Sequence, residues 1–267
     1  MPVSSVVPKA MFPLVDSRQN IRTVLHIILE ETKSAGIECA GIVAAPVQVE
    51  MLQRYFGAVS KSDLSKLPYH IEYINQPSPK GFGDAVMQAA DFIGDEPFML
   101  LLGDHIHIED SGKPPCAGQV AKAFGSTGAV AMTGMQPVSI EELCKVGVAG
   151  GIKIRLNIYR ATYLVEKPDI QTARQKLVTN DISEDTFLGH CGIYIFSPEI
   201  FDCLSQVALS TQQACKEIEL TAAQVVLLNK YPEKYFLYKI AGRAYDIGTP
   251  AGYANAQVAF RNKSTLL

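Results

Sequence analysis

The chain has 267 residues, of which 48% are hydrophobic and 19% charged, with 20 Gly and 15 Pro. That composition suits a folded domain with a full core and excludes a disordered chain, a collagen-like repeat and a coiled-coil rod. The 24 Lys and Arg against 27 Asp and Glu leave a net charge of −3, so no basic excess points to nucleic acid or to an anionic membrane.

In chain order, Ile21, Val24, Leu25, Ile28 and Leu29 recur at helical spacing. They predict a helix over 17–36, capped by Ser17 and stopped by Gly36. A short apolar strand follows at 39–45, a helix at 47–56, a polar loop at 57–68 and a strand at 70–74. Residues 83–92 read as a helix and 98–102 as a buried strand ending at Gly103-Asp104. Strands alternating with helices predict a parallel sheet covered on both faces. Residues 129–132 continue that pattern. The second half then changes character. Residues 147–165 read as antiparallel strands with a polar turn near Asn157, and 188–196 as a strand. A short helix is predicted at 198–204, a longer one at 217–229, a strand at 235–240 and a closing helix at 249–261. The expected architecture is α/β with a mixed, mostly parallel central sheet and an antiparallel extension. No repeat or linker divides 1–267, so one domain is expected.

The cysteines are Cys39, Cys116, Cys144, Cys191, Cys203 and Cys215, and none forms a C-x-x-C pair. A zinc ribbon or redox dithiol is therefore not expected, and the thiols read as free and mostly buried. No charged start precedes a long apolar run, and no apolar stretch reaches membrane-spanning length. A cytoplasmic protein is expected.

Several segments can carry chemistry. Pro8-Lys9 places a point charge on a stiff loop, suited either to phosphate or to solvent. Gln76 offers a donor and an acceptor to a nucleobase edge. Gly81 and Gly83 lie before a predicted helix and permit close approach of a ligand, although loop-to-helix turns commonly look the same. Asp104 follows an apolar strand, where α/β sheets bind ligands, and fits either a metal ligand or a turn cap. His105 and His107 would share one strand face, for which a structural role is the simpler reading. Glu166-Lys167-Pro168 joins an acceptor for sugar hydroxyls to a cation for phosphate. Asp246 sits in a glycine-flanked turn before the last helix.

Taken in order, these segments resemble the sugar-1-phosphate nucleotidyltransferases over nearly the whole chain. The shared pattern is Pro-Lys with Phe-Pro-Leu-Val-Asp, Gln-x4-Gly-x-Gly, Leu-Leu-Gly-Asp, Val-Glu-Lys-Pro, Gly-x-Tyr and Tyr-Asp-Ile-Gly-Thr-Pro. The bacterial-type UTP–glucose-1-phosphate uridylyltransferase branch looks most similar. The resemblance implies a Rossmann-like nucleotide-sugar fold. It also implies transfer of a uridylyl group from UTP to glucose 1-phosphate, giving UDP-glucose and pyrophosphate, with Mg²⁺. By the same resemblance, Lys9 takes the place of the phosphate-binding catalytic lysine. Gln76 and Gly81, with Gly83 beside them, match the base-reading segment. Asp104 and Asp246 match the magnesium-binding acids. Gly147, Glu166 and Gly192 match the sugar pocket, and Lys167 matches the grip on the sugar phosphate. Neither nucleic acid nor membrane is an implied partner, and a homo-oligomer is the family expectation.

The chain departs from the pattern at Asp84, where many relatives carry His or Thr, and at Ala222 after Thr221, where Asp is usual. Pro2 and Lys9 stand seven positions apart, as in the family. That register places the family's first strand and glycine-rich phosphate loop before Met1. Without that strand, two neighbouring strands would each be left with an unpaired edge. A non-catalytic nucleotide-sugar binding or regulatory relative is therefore the alternative reading. A thymidylyl- or cytidylyltransferase is a further alternative, since one amide does not settle the base. A glycosyltransferase of related fold is disfavoured by Glu166-Lys167-Pro168 and by residues 245–250.

Overall fold

The computed structural model describes residues 7–212 and 217–263. Pro2 and Cys215 lie outside them. The described chain opens on a hairpin, β1 (Pro13–Val15) with β2 (Ile21–Thr23), and runs into α1 (Val24–Ser34). Next come β3 (Cys39–Ala44), α2 (Pro46–Gly57), α3 (Lys61–Leu64), β4 (His70–Asn75), α4 (Phe82–Gln88) and α5 (Ala90–Ile93). The middle holds β5 (Phe98–Leu101), β6 (His105–Glu109), α6 (Cys116–Gly125) and β7 (Ala131–Ser139). Then follow β8 (Gly147–Arg155), β9 (Ile158–Glu166), α7 (Ile170–Lys176) and β10 (Thr186–Phe196). The chain ends with α8 (Glu199–Gln212), α9 (Leu220–Lys230), β11 (Tyr235–Lys239), β12 (Gly242–Asp246) and α10 (Pro250–Asn262).

The largest sheet has the order β5-β10-β7-β11-β9-β8. Its longest strand is β10, which pairs with β5, β7 and β8 and whose residues from Phe187 to Phe196 are all buried. Cys191, Ile193 and Ile195 face a core with α6, whereas Tyr194 and Phe196 face the core under α8 and α9. That alternation is the strand period of two, with both faces covered. The sheet is mixed, but the first half is less parallel than its alternation suggested. Among the described residues only β3 and β4 pair in parallel there, while β5 runs antiparallel to β10. Within the large sheet the parallel pair is β11 with β7. Among the described residues, β3 pairs with β4 and β5 pairs with β10.

The predicted helix 17–36 is corrected at its start. Asp16 accepts from the backbone N–H groups of Arg18 and Asn20, both at 2.9 Å, and Gln19 adopts φ 64°. This side-chain turn closes a hairpin where a helix was expected. Thr23, not Ser17, caps the helix, its hydroxyl accepting from the His26 N–H at 3.2 Å. The loop 57–68 contains α3, capped by Ser60. The helix 83–92 breaks into α4 and α5, and the helix predicted at 198–204 runs on to Gln212. Of the described cysteines, Cys116, Cys191 and Cys203 are buried, but Cys39 and Cys144 are exposed. No helix among the described residues is long and apolar enough to cross a membrane.

Candidate active site

Asp104 does not end a parallel strand. It lies in the tight link between β5 and β6, and β6 leaves the large sheet to pair with β12. In that ladder Asp246 stands opposite His105, and the Ile247 N–H donates to the Asp104 carbonyl at 2.9 Å. Two acids far apart in sequence thus meet at one end of a two-stranded ladder. Ligand atoms of Asp104, His105 and Asp246 lie within 4.8 Å of one another. His105 Nδ1 and Asp104 Oδ1 are 3.0 Å apart. Two carboxylates and an imidazole therefore fit a divalent cation. The hydrogen bond from His105 is the main influence holding the Asp104 carboxyl below its ordinary range; the positive charges of His105 and Lys9 add to it, against burial.

Lys9 sits in a 3-10 turn, Lys9–Met11, with its ammonium 3.8 Å from Asp104 Oδ2. Between these charges lies Gly248, the glycine of the turn that follows Asp246. A Cβ there would fall 2.7 Å from Asp246 Oδ1, 3.0 Å from Lys9 Nζ and 3.4 Å from Asp104 Oδ2. Its N–H also donates to Asp246 Oδ1 at 2.6 Å. The close atoms are ends of side chains, so a methyl displaces the charged groups rather than the backbone. Gly248→Ala is expected to leave the melting temperature within a few degrees of wild type while weakening Mn²⁺ binding about tenfold or more, measured by calorimetry. Unchanged binding would remove Gly248 from the site.

Beside this cluster opens a cavity of about 920 Å³, lined among others by His105, Gly147, Glu166, Lys167, Gly192 and Asp246. Of the sequence candidates, Gly147, Glu166, Lys167, Gly192 and Asp246 line it directly, while Lys9 and Asp104 stand beside Asp246. Gly147 faces Glu166 in the β8–β9 ladder, and a Cβ there would lie 2.8 Å from His190 Nδ1 and 3.0 Å from Glu166 Oε2. Thr221 donates to Glu166 Oε2 at 2.7 Å. The hydroxyl before Ala222 thus fixes the carboxylate. Lys167 adopts φ 45° at the end of β9, a left-handed conformation costly for a long side chain. Gly192 has φ 84° where the β10–β7 register shifts. His190 lines the cavity too, and burial pushes its imidazole down to about 4, so it is neutral near pH 7. No local pattern marks it, because an apolar run hides one histidine.

Gln76, Gly81 and Gly83 do not line the cavity. They form a second cluster joined to it by Phe82, which does. Gly81 has φ 109°, and a Cβ there would meet the Ile218 carbonyl at 2.7 Å. The Gly83 N–H donates to that carbonyl at 2.7 Å, and the Ile218 N–H donates to the Lys80 carbonyl at 2.8 Å. Only glycine fits this laced loop. Asp84 is buried and accepts from Gln76 Nε2 at 2.7 Å.

His105 and His107 do not converge on one ion. His107 is buried with Nδ1 3.0 Å from Glu31 Oε2 and Nε2 donating to the Cys191 carbonyl at 2.7 Å. Burial opposes its charge, but Glu31 and that carbonyl outweigh burial and hold the imidazolium well above its ordinary pKa.

The family profile described as nucleotidyl transferase matches residues 1–263. The UTP–glucose-1-phosphate uridylyltransferase of Bacillus subtilis strain 168 is 31% identical over 277 residues, covering 97% of this chain and 86% of the relative. UTP–glucose-1-phosphate uridylyltransferase 2 of Staphylococcus saprophyticus is 30% identical over 281 residues, covering 98% and 88%. A crystal structure of UDP-glucose pyrophosphorylase complexed with UDP-glucose superimposes with a TM-score of 0.80 at 26% identity, covering 97% of this chain and 92% of that one.

Proposed function

The chain belongs to the nucleotidyl transferase family, and on that footing we propose that it transfers the uridylyl group of UTP to glucose 1-phosphate, releasing UDP-glucose and pyrophosphate, with Mg²⁺. The observation that carries the reading is the meeting of Lys9, Asp104 and Asp246 around Gly248, beside a cavity holding Glu166 and Lys167. The same reading makes 1–267 one nucleotidyltransferase domain acting in the cytoplasm.

The reaction needs positioning and charge neutralisation more than a covalent nucleophile. An ionised oxygen of the sugar phosphate attacks the α-phosphorus of UTP. A phosphorus–oxygen bond forms there as the bond to pyrophosphate breaks on the opposite side. No general base is required, because the attacking oxygen carries no proton. Lys167 binds the sugar phosphate, and Lys9 faces the negative charge on the triphosphate. Glu166, held by Thr221, accepts from sugar hydroxyls, with Gly147 and Gly192 leaving room for the ring. Gln76 and Gly81 read the base. Mg²⁺ held by Asp104 and Asp246, with His105 as a nitrogen ligand, would neutralise phosphate oxygens when bound.

A panel of nucleoside triphosphates and sugar 1-phosphates tests the substrate assignment. UTP with glucose 1-phosphate is expected to give the highest kcat/KM for pyrophosphate release. A higher value with another sugar phosphate would reassign the cavity.

A further inference from the structure

We propose that Asp84 is a positioning residue for base selection. Its carboxylate fixes the Gln76 amide in the orientation that accepts a ring N–H, so the site takes uracil or thymine nucleotides and rejects cytosine ones. The inference rests on the reading of Gln76 as the base contact.

Gln76 follows β4 directly. Its N–H donates to the Ala44 carbonyl at 2.9 Å, which extends the parallel β3–β4 ladder by one residue. The side chain therefore starts at the carboxyl end of a parallel pair, the place where α/β sheets meet ligands. Asp84 lies on the first turn of α4 and is only 7% exposed. Its Oδ2 accepts from Gln76 Nε2 at 2.7 Å and, more weakly, from the Lys80 N–H at 3.4 Å; its Oδ1 accepts from Gln88 Nε2 at 3.4 Å.

A carboxylate only accepts, so only the NH₂ end of Gln76 can face it. A free amide flips at small cost, but this one cannot without setting Oε1 against a buried negative charge and losing its hydrogen bond. Gln76 Oε1 is left without a partner among the described residues, turned away from the carboxylate and ready to accept. Uracil and thymine carry an N–H at ring position 3, which suits such an acceptor. Cytosine carries a lone pair there, beside an amino group. To pair with cytosine in the same place, the amide would have to flip. The acid at position 84, where the chain departs from the pattern of its relatives, is a constraint on its neighbour. The same constraint does not separate uracil from thymine.

The test is equilibrium binding of UDP-glucose and CDP-glucose to the full chain by calorimetry, which requires no turnover. Wild type is expected to prefer UDP-glucose by about tenfold or more. Asp84→Asn keeps the shape but can donate to Gln76 Oε1 as well as accept, so both amide orientations become available. It is expected to bring the two affinities within about threefold, chiefly by tightening CDP-glucose. Gln76→Ala is expected to abolish the same preference. An unchanged ratio in Asp84→Asn overturns the proposal, as does a ratio that collapses there but survives in Gln76→Ala. Equal binding of the two ligands by wild type also overturns it, and a chain that binds neither overturns it along with the substrate reading. A chain that releases no pyrophosphate yet shows the predicted ratios supports the constraint while removing the catalytic reading.

Discussion

Asp246→Ala is expected to lower kcat for pyrophosphate release by roughly 10²–10³-fold, the usual cost of removing one preorganised charge aimed at a developing transition state. The size follows from where Asp246 stands. It ends β12 opposite His105, and its Oδ1 is fixed by the Gly248 N–H at 2.6 Å. It therefore meets a cation without reorganising. Removing it leaves Asp104 and His105 as the remaining donors of the cluster. The loss should come with weaker Mn²⁺ binding, read by titration in the absence of substrate. Asp246 is exposed at the end of its strand, so the fold should tolerate the change and the melting temperature should move little. Full turnover with unaltered Mn²⁺ binding would remove Asp246 from the assigned role.

His107→Ala is expected to act on stability instead. The pair of His107 and Glu31 is buried, with side-chain exposures of 0% and 8%. Truncating one partner strands a carboxylate that keeps the Ala117 N–H, at 2.9 Å, as its remaining donor. Breaking such a buried pair typically costs roughly 3–5 kcal/mol. The pair also ties four elements together: Glu31 on α1, Ala117 on α6, His107 on β6 and Cys191 on β10. Cys191 precedes Gly192, whose left-handed backbone forms part of the cavity wall. The substitution should therefore lower the denaturant midpoint and loosen sugar-phosphate binding together. A destabilisation below about 1 kcal/mol would mean that the pair is not the clamp described here.

What could be read from the sequence divides along physical lines. The strands were legible as apolar runs: 39–44, 98–101 and 188–196 all fall where the pattern placed them, although of the three only 188–196 is buried on both faces, 98–101 being half-buried and 39–44 partly exposed. The antiparallel β8–β9 pair was legible too, because Asn157 marks its turn and adopts φ 61°. The start of α1 was not, because Asp16 competes for local backbone N–H groups and converts a helix-like pattern into a hairpin. Strand direction was also hidden, since an apolar run does not say whether its partner is parallel. That is why Asp104 was expected at the end of a parallel strand and stands instead in a turn between two ladders. Residue order identified Asp104, Asp246, Glu166 and Lys167 as candidates. Only the tertiary pairing of β6 with β12 brings Asp104 and His105 to Asp246 and Gly248, and no local spacing carries that information. Asp84 illustrates the same limit, because an acid near a helix start looks like a dipole partner until its buried contact with Gln76 is seen.

Uridylyl transfer is tested by product formation with the 267-residue chain given UTP, glucose 1-phosphate and Mg²⁺. Pyrophosphate and UDP-glucose should be measured together, with and without a chelator. Both are expected to form in equal amounts, with formation abolished by chelation and restored by added Mg²⁺. Binding of UDP-glucose with no pyrophosphate released under any of these conditions would contradict it and leave a nucleotide-sugar binding protein in its place.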